Sequence, residues 1–388
     1  MRKDINIESI IKGVETAMSF RTKSNRLIDE FSDNIASCHP KLSKGLYKSL
    51  LIKTDKVASE KRFDSLTWEQ VFMYHALLET FPFTPDDKKA NSYTRDDYDE
   101  FCFNTAKRFR GMITKNDLDE DFIKNITFDF SPRRKEGVNF RAGFNDAYEI
   151  LYSGMVRYFP EKHGFLPDVA FATDKIIFPY VEFIKDGKPI FVSELSPLSA
   201  VYAEDVSQKV HGDILLPGCE IGYLTYLLSE KEDVKSITIV EEFKEVYDTF
   251  IEKLYPQFKN SHKINAVCMG MGEYFKENPD CKFDFVLLDR NRYIDSVTRY
   301  LRIFYTFRKY SKGKVLISEE NMDLDGLSLM VLKRIFDIFH NPNVFKFDDC
   351  IEDFIHGYLS YERIGCEEDV YKKINPHNIK RFLNEFVY

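Results

Sequence analysis

Residues 213–222, with the sequence DILLPGCEIG, constrain the fold more than any other part of this chain. The apolar run predicts a buried strand, and Gly218 and Gly222 predict a tight turn into a helix. A second apolar run, 234–240, leads directly to Glu241. Strand, glycine loop, helix, strand and acid follow one another in doubly wound folds that bind a nucleoside, where the acid accepts hydrogen bonds from ribose hydroxyls.

The C-terminal half continues this alternation. Strands are predicted at 213–217, 235–240, 264–268, 283–289 and 313–318, and helices at 222–230, 243–254, 294–309 and 326–340. Continuously apolar strands that alternate with helices predict an α/β fold with a Rossmann-like, doubly wound, mostly parallel sheet covered on both faces. Short β-rich runs at 344–347 and 357–361 predict an antiparallel edge strand, and residues 376–386 predict a closing helix.

The N-terminal half has a different pattern. Apolar residues recur every three or four positions over residues 5–81, and Thr67 with Gln70 resembles a capping box. Further helices are predicted at 98–109 and 142–158, so we expect a mainly helical N-terminal domain.

Two β-rich runs, 175–184 and 189–194, flank Asp186-Gly187 and predict a β-hairpin between the halves. Residues 199–210 predict a helix that leads into the first core strand. Because 388 residues exceed the usual size of one hydrophobic core, we expect a helical domain at 1–165, a hairpin connection at 166–198 and a Rossmann-like domain at 199–388.

Composition narrows the class of partner. A net charge of -8 argues against a long nucleic-acid footprint and favours a small-molecule ligand. The seven cysteines show no CxxC spacing and the eight histidines form no HExxH motif, so neither a metal site nor a disulfide framework is predicted. The N-terminus lacks a signal-peptide core and no window has the roughly 18 apolar residues of a membrane span. We therefore expect a cytoplasmic protein with no membrane partner, and the N-terminal helices are a candidate homodimer surface.

Four segments of residues 199–388 resemble the class I S-adenosylmethionine-dependent methyltransferases: 214–222 (ILLPGCEIG), 237–241 (ITIVE), 270–275 (GMGEYF) and 283–289 (FDFVLLD). The resemblance implies S-adenosylmethionine as the cofactor. The residues that it implies for cofactor binding are Pro217, Gly218, Cys219, Glu220, Gly222, Glu241 or its neighbour Glu242, Met271, Gly272 and Asp289.

Other residues are candidates for the reaction or for the acceptor. Asp289, after the fourth strand, is the candidate catalytic residue, although it could equally cap the next helix. Arg290 and Arg292 follow it and could pair with Glu220 or with an acidic acceptor, or could be exposed residues with no such role. The remaining substrate candidates are Glu319, which could orient an amine, and Tyr180 and Tyr202, which the resemblance places near the cofactor.

The chain departs from the family pattern at three positions. Leu216 stands where the family has an acid, Glu220 where it has a second glycine, and Met271 where it has an aspartate. Leu216 cannot accept a hydrogen bond, and Glu220 brings a negative charge close to the expected place of the methionine carboxylate.

Three hypotheses follow. The first is a methyltransferase that acts on a small molecule, with the helical N-terminal domain shaping the acceptor pocket. The second is an aminopropyl or aminobutyl transferase that uses a related nucleoside. The third is a catalytically inactive, methyltransferase-like binding module.

Overall fold

The structure of the protein is a computed structural model that describes residues 6–38, 40–81, 94–114, 117, 122, 133–135, 138–159, 164–185, 188–318, 320–340 and 346–385. The chain begins with helices α1 (Ile7–Cys38), α2 (Lys44–Val57), α3 (Trp68–Thr80) and α4 (Arg95–Ala106), with a 3-10 turn at Lys61–Phe63. The predicted capping box is confirmed, since Thr67 and Gln70 bond to each other's backbone at the start of α3.

Strands follow the four helices. They are β1 (Phe109–Ile113), β2 (Arg133–Lys135), β3 (Val138–Asn145), β4 (Ile150–Phe159), β5 (Gly164–Ala172), β6 (Ile176–Lys185) and β7 (Lys188–Glu194). They form a three-stranded sheet, β1-β5-β4, and a four-stranded sheet, β2-β3-β6-β7. The expectation of a mainly helical N-terminal domain is therefore right only as far as α4.

The helix predicted at 142–158 is wrong, because these residues form the end of β3, a turn and most of β4. The segment contains three tyrosines with Phe144, Ile150 and Val156, residue types that favour strands over helices. Tyr148 in the turn has a φ of 66°, a backbone conformation that no helix includes. Apolar residues at helical spacing were misleading here because the turn splits the segment.

The predicted hairpin is confirmed, since β6 and β7 pair antiparallel from Tyr180–Glu194 to Lys185–Lys188. Its turn, Asp186-Gly187, lies outside the described residues. The hairpin does not stand alone, because β3 pairs with the other edge of β6.

The C-terminal half is a layered α/β structure. Its strands are β8 (Gly212–Pro217), β9 (Val234–Glu241), β10 (Ile264–Cys268), β11 (Phe283–Leu288) and β12 (Ser311–Ile317). Its helices are α5 (Pro197–Ser207), α6 (Tyr223–Glu230), α7 (Lys244–Thr249), α8 (Met271–Glu277), α9 (Arg290–Tyr293), α10 (Val297–Arg308), α11 (Asn321–His340), α12 (Asp349–Glu362), α13 (Glu367–Lys373) and α14 (Pro376–Glu385). A π-helical turn at Phe250–Leu254 and 3-10 turns at Tyr255–Gln257 and Ser261–Lys263 lead into β10.

The five strands β8 to β12 pair in parallel in the order β10-β9-β8-β11-β12. Counted from β8, this order is 3-2-1-4-5, which is the Rossmann-like arrangement predicted from the sequence. Successive residues of each strand enter different cores. Ile214 packs with Tyr223 and Phe250 on one face, whereas Leu215 packs with Tyr300 on the other.

The predicted antiparallel edge strand is wrong, because residues 357–361 lie inside α12. Asp348 caps that helix, and Ile351, Phe354, Ile355 and Tyr358 are buried at helical spacing. Residues 341–345 lie outside the described residues. All the described strands of this sheet are parallel.

The first helix packs against the C-terminal half. Ile10, Val14 and Ala17 belong to the same buried cluster as Phe354 of α12. Arg21 of α1 donates to the carbonyl of Ile374, and both the Arg21 side chain and its ion-pair partner Asp325 are almost fully buried. The apolar face of this part of α1 is thus covered by the same chain. The domain boundaries at residues 165 and 198 stay a prediction.

Candidate functional site

The glycine loop at the end of β8 is built by backbone geometry that glycine favours. Gly218 has a φ of 118° and Gly222 a φ of 82°, both in the left-handed region. A Cβ on Gly222 would lie 2.8 Å from Leu254 Cδ1, so this glycine also permits close packing. Glu220, between them, has a φ of 45°, which is unfavourable for a residue with a side chain.

A cavity of about 650 Å³ opens directly on this loop. One wall is the loop with the carboxyl ends of β8, β11 and β12, and the opposite wall comes from β3, β4, β6 and β7. The start of α5 closes the third side. The cavity therefore lies between the Rossmann-like sheet and the smaller sheets, at the strand ends where open α/β sheets bind ligands.

Eight of the predicted site residues line this cavity. They are Pro217, Gly218, Cys219, Glu220 and Gly222 of the loop, Asp289 after β11, Tyr180 on β6 and Tyr202 on α5. The fold thus brings together residues that are far apart in the sequence. Their roles toward a ligand stay predictions.

The cavity is acidic. Glu149, Glu194, Glu220 and Asp289 line it, and the described lining residues include no Lys, Arg or His. Burial raises the pKa of Glu194 above its ordinary value, although a hydrogen bond with Ser196 opposes this effect. Four carboxylates in the lining, with no basic side chain among the described lining residues, make the cavity more favourable for a cation than for an anion.

Glu220 is the most perturbed of these acids. Burial, followed by the charge of Asp289, raises its pKa to about 8, although Arg292 has the opposite effect. Among the described residues, none donates a hydrogen bond to its carboxylate. Asp289, by contrast, accepts from the Ser318 hydroxyl at 3.1 Å, and Glu149 accepts from the Asp146 amide at 2.6 Å.

Glu241, the predicted ribose acid, has a different environment. Its side chain is completely buried and forms an ion pair with Arg292, whose side chain is only 3% exposed. Glu241 also accepts from the backbone amides of Cys219 at 3.0 Å and Phe243 at 2.8 Å. Glu241 does not line the cavity, so the acid predicted to bind a ribose lies apart from the four cavity carboxylates.

The other predicted residues lie away from the cavity lining. Glu242 is half-exposed, and its carboxylate lies 3.8 Å from Arg292. Met271 and Gly272 begin α8, and neither lines the cavity. Arg290 lies in α9, but its side chain and all of Glu319 lie outside the described residues.

Sequence reasoning missed two of the cavity acids. Glu194 is the last residue of β7, and it could have been found because the predicted hairpin strand ends there. Glu149 was hidden by the helix predicted over 142–158. Both face the loop only because the smaller sheets pack on the Rossmann-like sheet, as shown by the shared cluster of Leu151, Phe178 and Leu216.

Within the described parts of the chain, no group of three or more His, Cys, Asp or Glu side chains is placed to hold a metal ion. Among the described helices, none combines the length and the apolar content that crossing a membrane requires.

No protein-family model matches the sequence, and no curated protein matches it either. Among solved structures, SMU.776, a protein assigned as a methyltransferase and complexed with SAH, is 17% identical over 36% of this chain and 38% of its own, with a TM-score of 0.24. A protein from Streptococcus mutans assigned as a SAM-dependent methyltransferase is 10% identical over 50% of each chain, with a TM-score of 0.29. The similarity thus spans half or less of each of those chains, and we infer neither activity nor ligand from it.

Proposed function

We propose that this protein is an S-adenosylmethionine-dependent methyltransferase whose acceptor is a small amine bound in the acidic cavity. The main support is the place of the cavity, at the glycine loop and the carboxyl ends of the first and fourth strands of a 3-2-1-4-5 sheet. The four carboxylates and the absence of basic residues among the described lining support a cationic acceptor.

The residues present fit the proposed cofactor only in part. A sulfonium is a cation, so an acidic cavity suits that end of the molecule. The methionine carboxylate would lie near Glu220, which is unfavourable while Glu220 is ionised. At the nucleoside end, the Arg292 guanidinium lies against Gly218, and Glu241 already has donors on both oxygens.

The chain's own residues have two tasks in this proposal. When bound, the cofactor supplies an electrophilic methyl group, so the protein has mainly to align the acceptor and exclude water. Tyr180 and Tyr202 form apolar walls with polar tips for this purpose. Glu220, whose pKa is raised to about 8 by burial and by Asp289, can take a proton from an ammonium group once it is ionised, which requires a pH of about 8 or above.

Aminopropyl or aminobutyl transfer is a second candidate, and the charge of the cavity favours it. A decarboxylated nucleoside has no carboxylate to be repelled by Glu220, and its amine would find acceptors in Glu194 and Asp289. The same acidic wall would hold a polyamine acceptor. On this hypothesis, the glutamate at position 220, where the methyltransferase pattern has a glycine, is an adaptation to a more positive ligand.

Isothermal titration calorimetry of the full chain with S-adenosylmethionine, S-adenosylhomocysteine and decarboxylated S-adenosylmethionine distinguishes the candidates. Binding of S-adenosylhomocysteine supports methyl transfer, and a clear preference for the decarboxylated ligand supports aminopropyl transfer. If none of the three binds, both enzyme proposals are wrong and a binding module without this cofactor remains. Glu232→Gln, which changes an exposed turn carboxylate, is the matched control for variants of the cavity acids.

A further inference from the structure

We propose that Arg292 competes with the nucleoside for Glu241, and that the nucleoside site opens when the Arg292 guanidinium moves from Glu241 to Glu242. This inference rests on the proposed function, because it concerns how the same loop receives a ribose. It makes Arg292 a determinant of nucleoside affinity.

The acceptor capacity of Glu241 is fully used in the structure. Its Oε2 atom accepts from the Cys219 amide and from Arg292 Nη1, both at 3.0 Å. Its Oε1 atom accepts from the Phe243 amide at 2.8 Å and from Arg292 Nη2. A carboxylate offers about four lone-pair sites, so four donors leave none for the hydroxyls of a ribose.

The space beside the glycine is also taken. Gly218 lets a ligand approach the backbone, but here a Cβ at this position would collide with the Arg292 guanidinium. The guanidinium lies 5.2 Å from the ring centre of Phe243 and 5.5 Å from that of Tyr293. Tyr293 in turn donates to the carbonyl of Pro217 at 3.2 Å. Arg292 therefore occupies the surface that the sequence pattern assigns to a nucleoside.

The neighbouring acid offers the displaced guanidinium a second partner. Glu242 Oε1 is 3.8 Å from Arg292 Nη2, and the Glu242 side chain is 49% exposed. A small outward movement would thus exchange a buried ion pair for a partly exposed one. Arg292 Nε has no hydrogen-bond partner among the described residues, so the buried position does not satisfy every donor.

The size of the effect follows from the population of the open state. A ligand that binds only the open state has its apparent affinity reduced by the fraction of protein in that state. For a minor state of about 0.1–10%, removing the competitor strengthens binding by at least about tenfold. Removing Glu242 weakens binding, because the displaced arginine loses its partner.

The test is isothermal titration calorimetry of the full chain with S-adenosylhomocysteine and with adenosine, comparing wild type, Arg292→Ala, Glu242→Gln and the control Glu245→Gln. Glu245 lies on α7, close to Glu242 in the sequence, and the control shows the effect of losing one nearby negative charge. We expect at least tenfold tighter binding to Arg292→Ala, weaker binding to Glu242→Gln and no change for Glu245→Gln.

Unchanged or weaker binding to Arg292→Ala, with wild type binding normally, overturns this inference and leaves the proposed function intact. Absence of binding to both proteins overturns the proposed function together with the inference. Arg292→Ala leaves Glu241 buried without its ion-pair partner, so circular dichroism must show that it folds. If Arg292→Ala does not fold, Glu242→Gln tests the inference. An affinity of Glu242→Gln equal to that of wild type contradicts the movement of Arg292 from Glu241 to Glu242.

Discussion

Replacing Glu220 by Gln and by Gly separates two costs that this side chain imposes on the folded state. The folded protein holds the pKa of Glu220 at about 8, against an ordinary value of 4.5. Between these two values the folded state keeps a proton that the unfolded state releases. Its contribution to stability is therefore neutral well below pH 4.5 and becomes increasingly unfavourable as pH rises toward 8.

Each pH unit in this window costs about 1.4 kcal/mol, so from pH 5 to pH 8 the cost of Glu220 grows by at most about 4 kcal/mol. Glu220→Gln does not titrate, so we expect its stability relative to wild type to increase by up to that amount over the same range. Glu220→Gly also removes the side chain from a left-handed backbone position with a φ of 45°. It should be more stable than Glu220→Gln by about 1 kcal/mol at both pH values.

The assay is equilibrium urea unfolding followed by far-UV circular dichroism at pH 5 and pH 8, with Glu232→Gln as the control for loss of an exposed carboxylate. If the difference between wild type and Glu220→Gln is the same at both pH values, Glu220 ionises freely and our description of the cavity is wrong. The charge can also be tested by binding, because S-adenosylmethionine carries a sulfonium that S-adenosylhomocysteine lacks. Its preference over S-adenosylhomocysteine should increase from pH 6 to pH 9 in wild type and increase less in Glu220→Gln.

Three further substitutions test the fold around the site. Arg21→Ala removes the buried ion pair with Asp325 and the hydrogen bond to the Ile374 carbonyl, and we expect a loss of about 3–5 kcal/mol in the free energy of unfolding in urea; a loss below 1 kcal/mol would contradict the packing of α1. Phe171→Ala removes a fully buried ring from the N-terminal core, with an expected loss of about 3–5 kcal/mol and no effect on ligand affinity in calorimetry. Gly222→Ala forces a Cβ to within 2.8 Å of Leu254 at a φ of 82°, so both the melting temperature and ligand affinity should fall, and an unchanged affinity would show that the loop tolerates the shift.

The core sheet could be predicted from the sequence because most of its strands contain a short apolar run and the strands alternate with helices. Residues 283–288, for example, pair with β8 and β12 on either side, and strands buried on both faces have this pattern. The 142–158 stretch failed because apolar spacing alone cannot show that a turn divides it at Tyr148. The strand predicted at 357–361 is wrong because these β-rich residues continue a helix. That helix begins at the Asp348 cap and is packed through buried residues that precede the segment.

Most of the cavity residues that could be predicted follow strands of the Rossmann-like sheet. Gly218, Glu220 and Asp289 were found in this way, and the fold places all three on one cavity. The pairing of Glu241 with Arg292 could not be predicted, because they are far apart in the sequence and meet only when β9 and β11 end at the same edge of the sheet. The spacing of residues in the sequence shows which acids lie at the carboxyl edge of the sheet, but it does not show which of them forms an ion pair with an arginine.

Two acids at the glycine loop differ in their partners: Glu241 forms an ion pair with Arg292, whereas Glu220 has no hydrogen-bond donor among the described residues. We expect this difference to orient a ligand that binds there. Glu241 has four donors, two of them from a cationic guanidinium, so it has little to gain from a further cation. Glu220 has no hydrogen-bond donor among the described residues, and Asp289, which lines the same cavity, repels its charge. A cation there would therefore offset both the loss of hydration and the repulsion. The positive end of a ligand should therefore enter the cavity beside Glu220, and its nucleoside end should be the part that must displace Arg292. In these proposals, Glu220 strengthens the attraction for a cation at one end of the loop, while Arg292 restricts entry at the other.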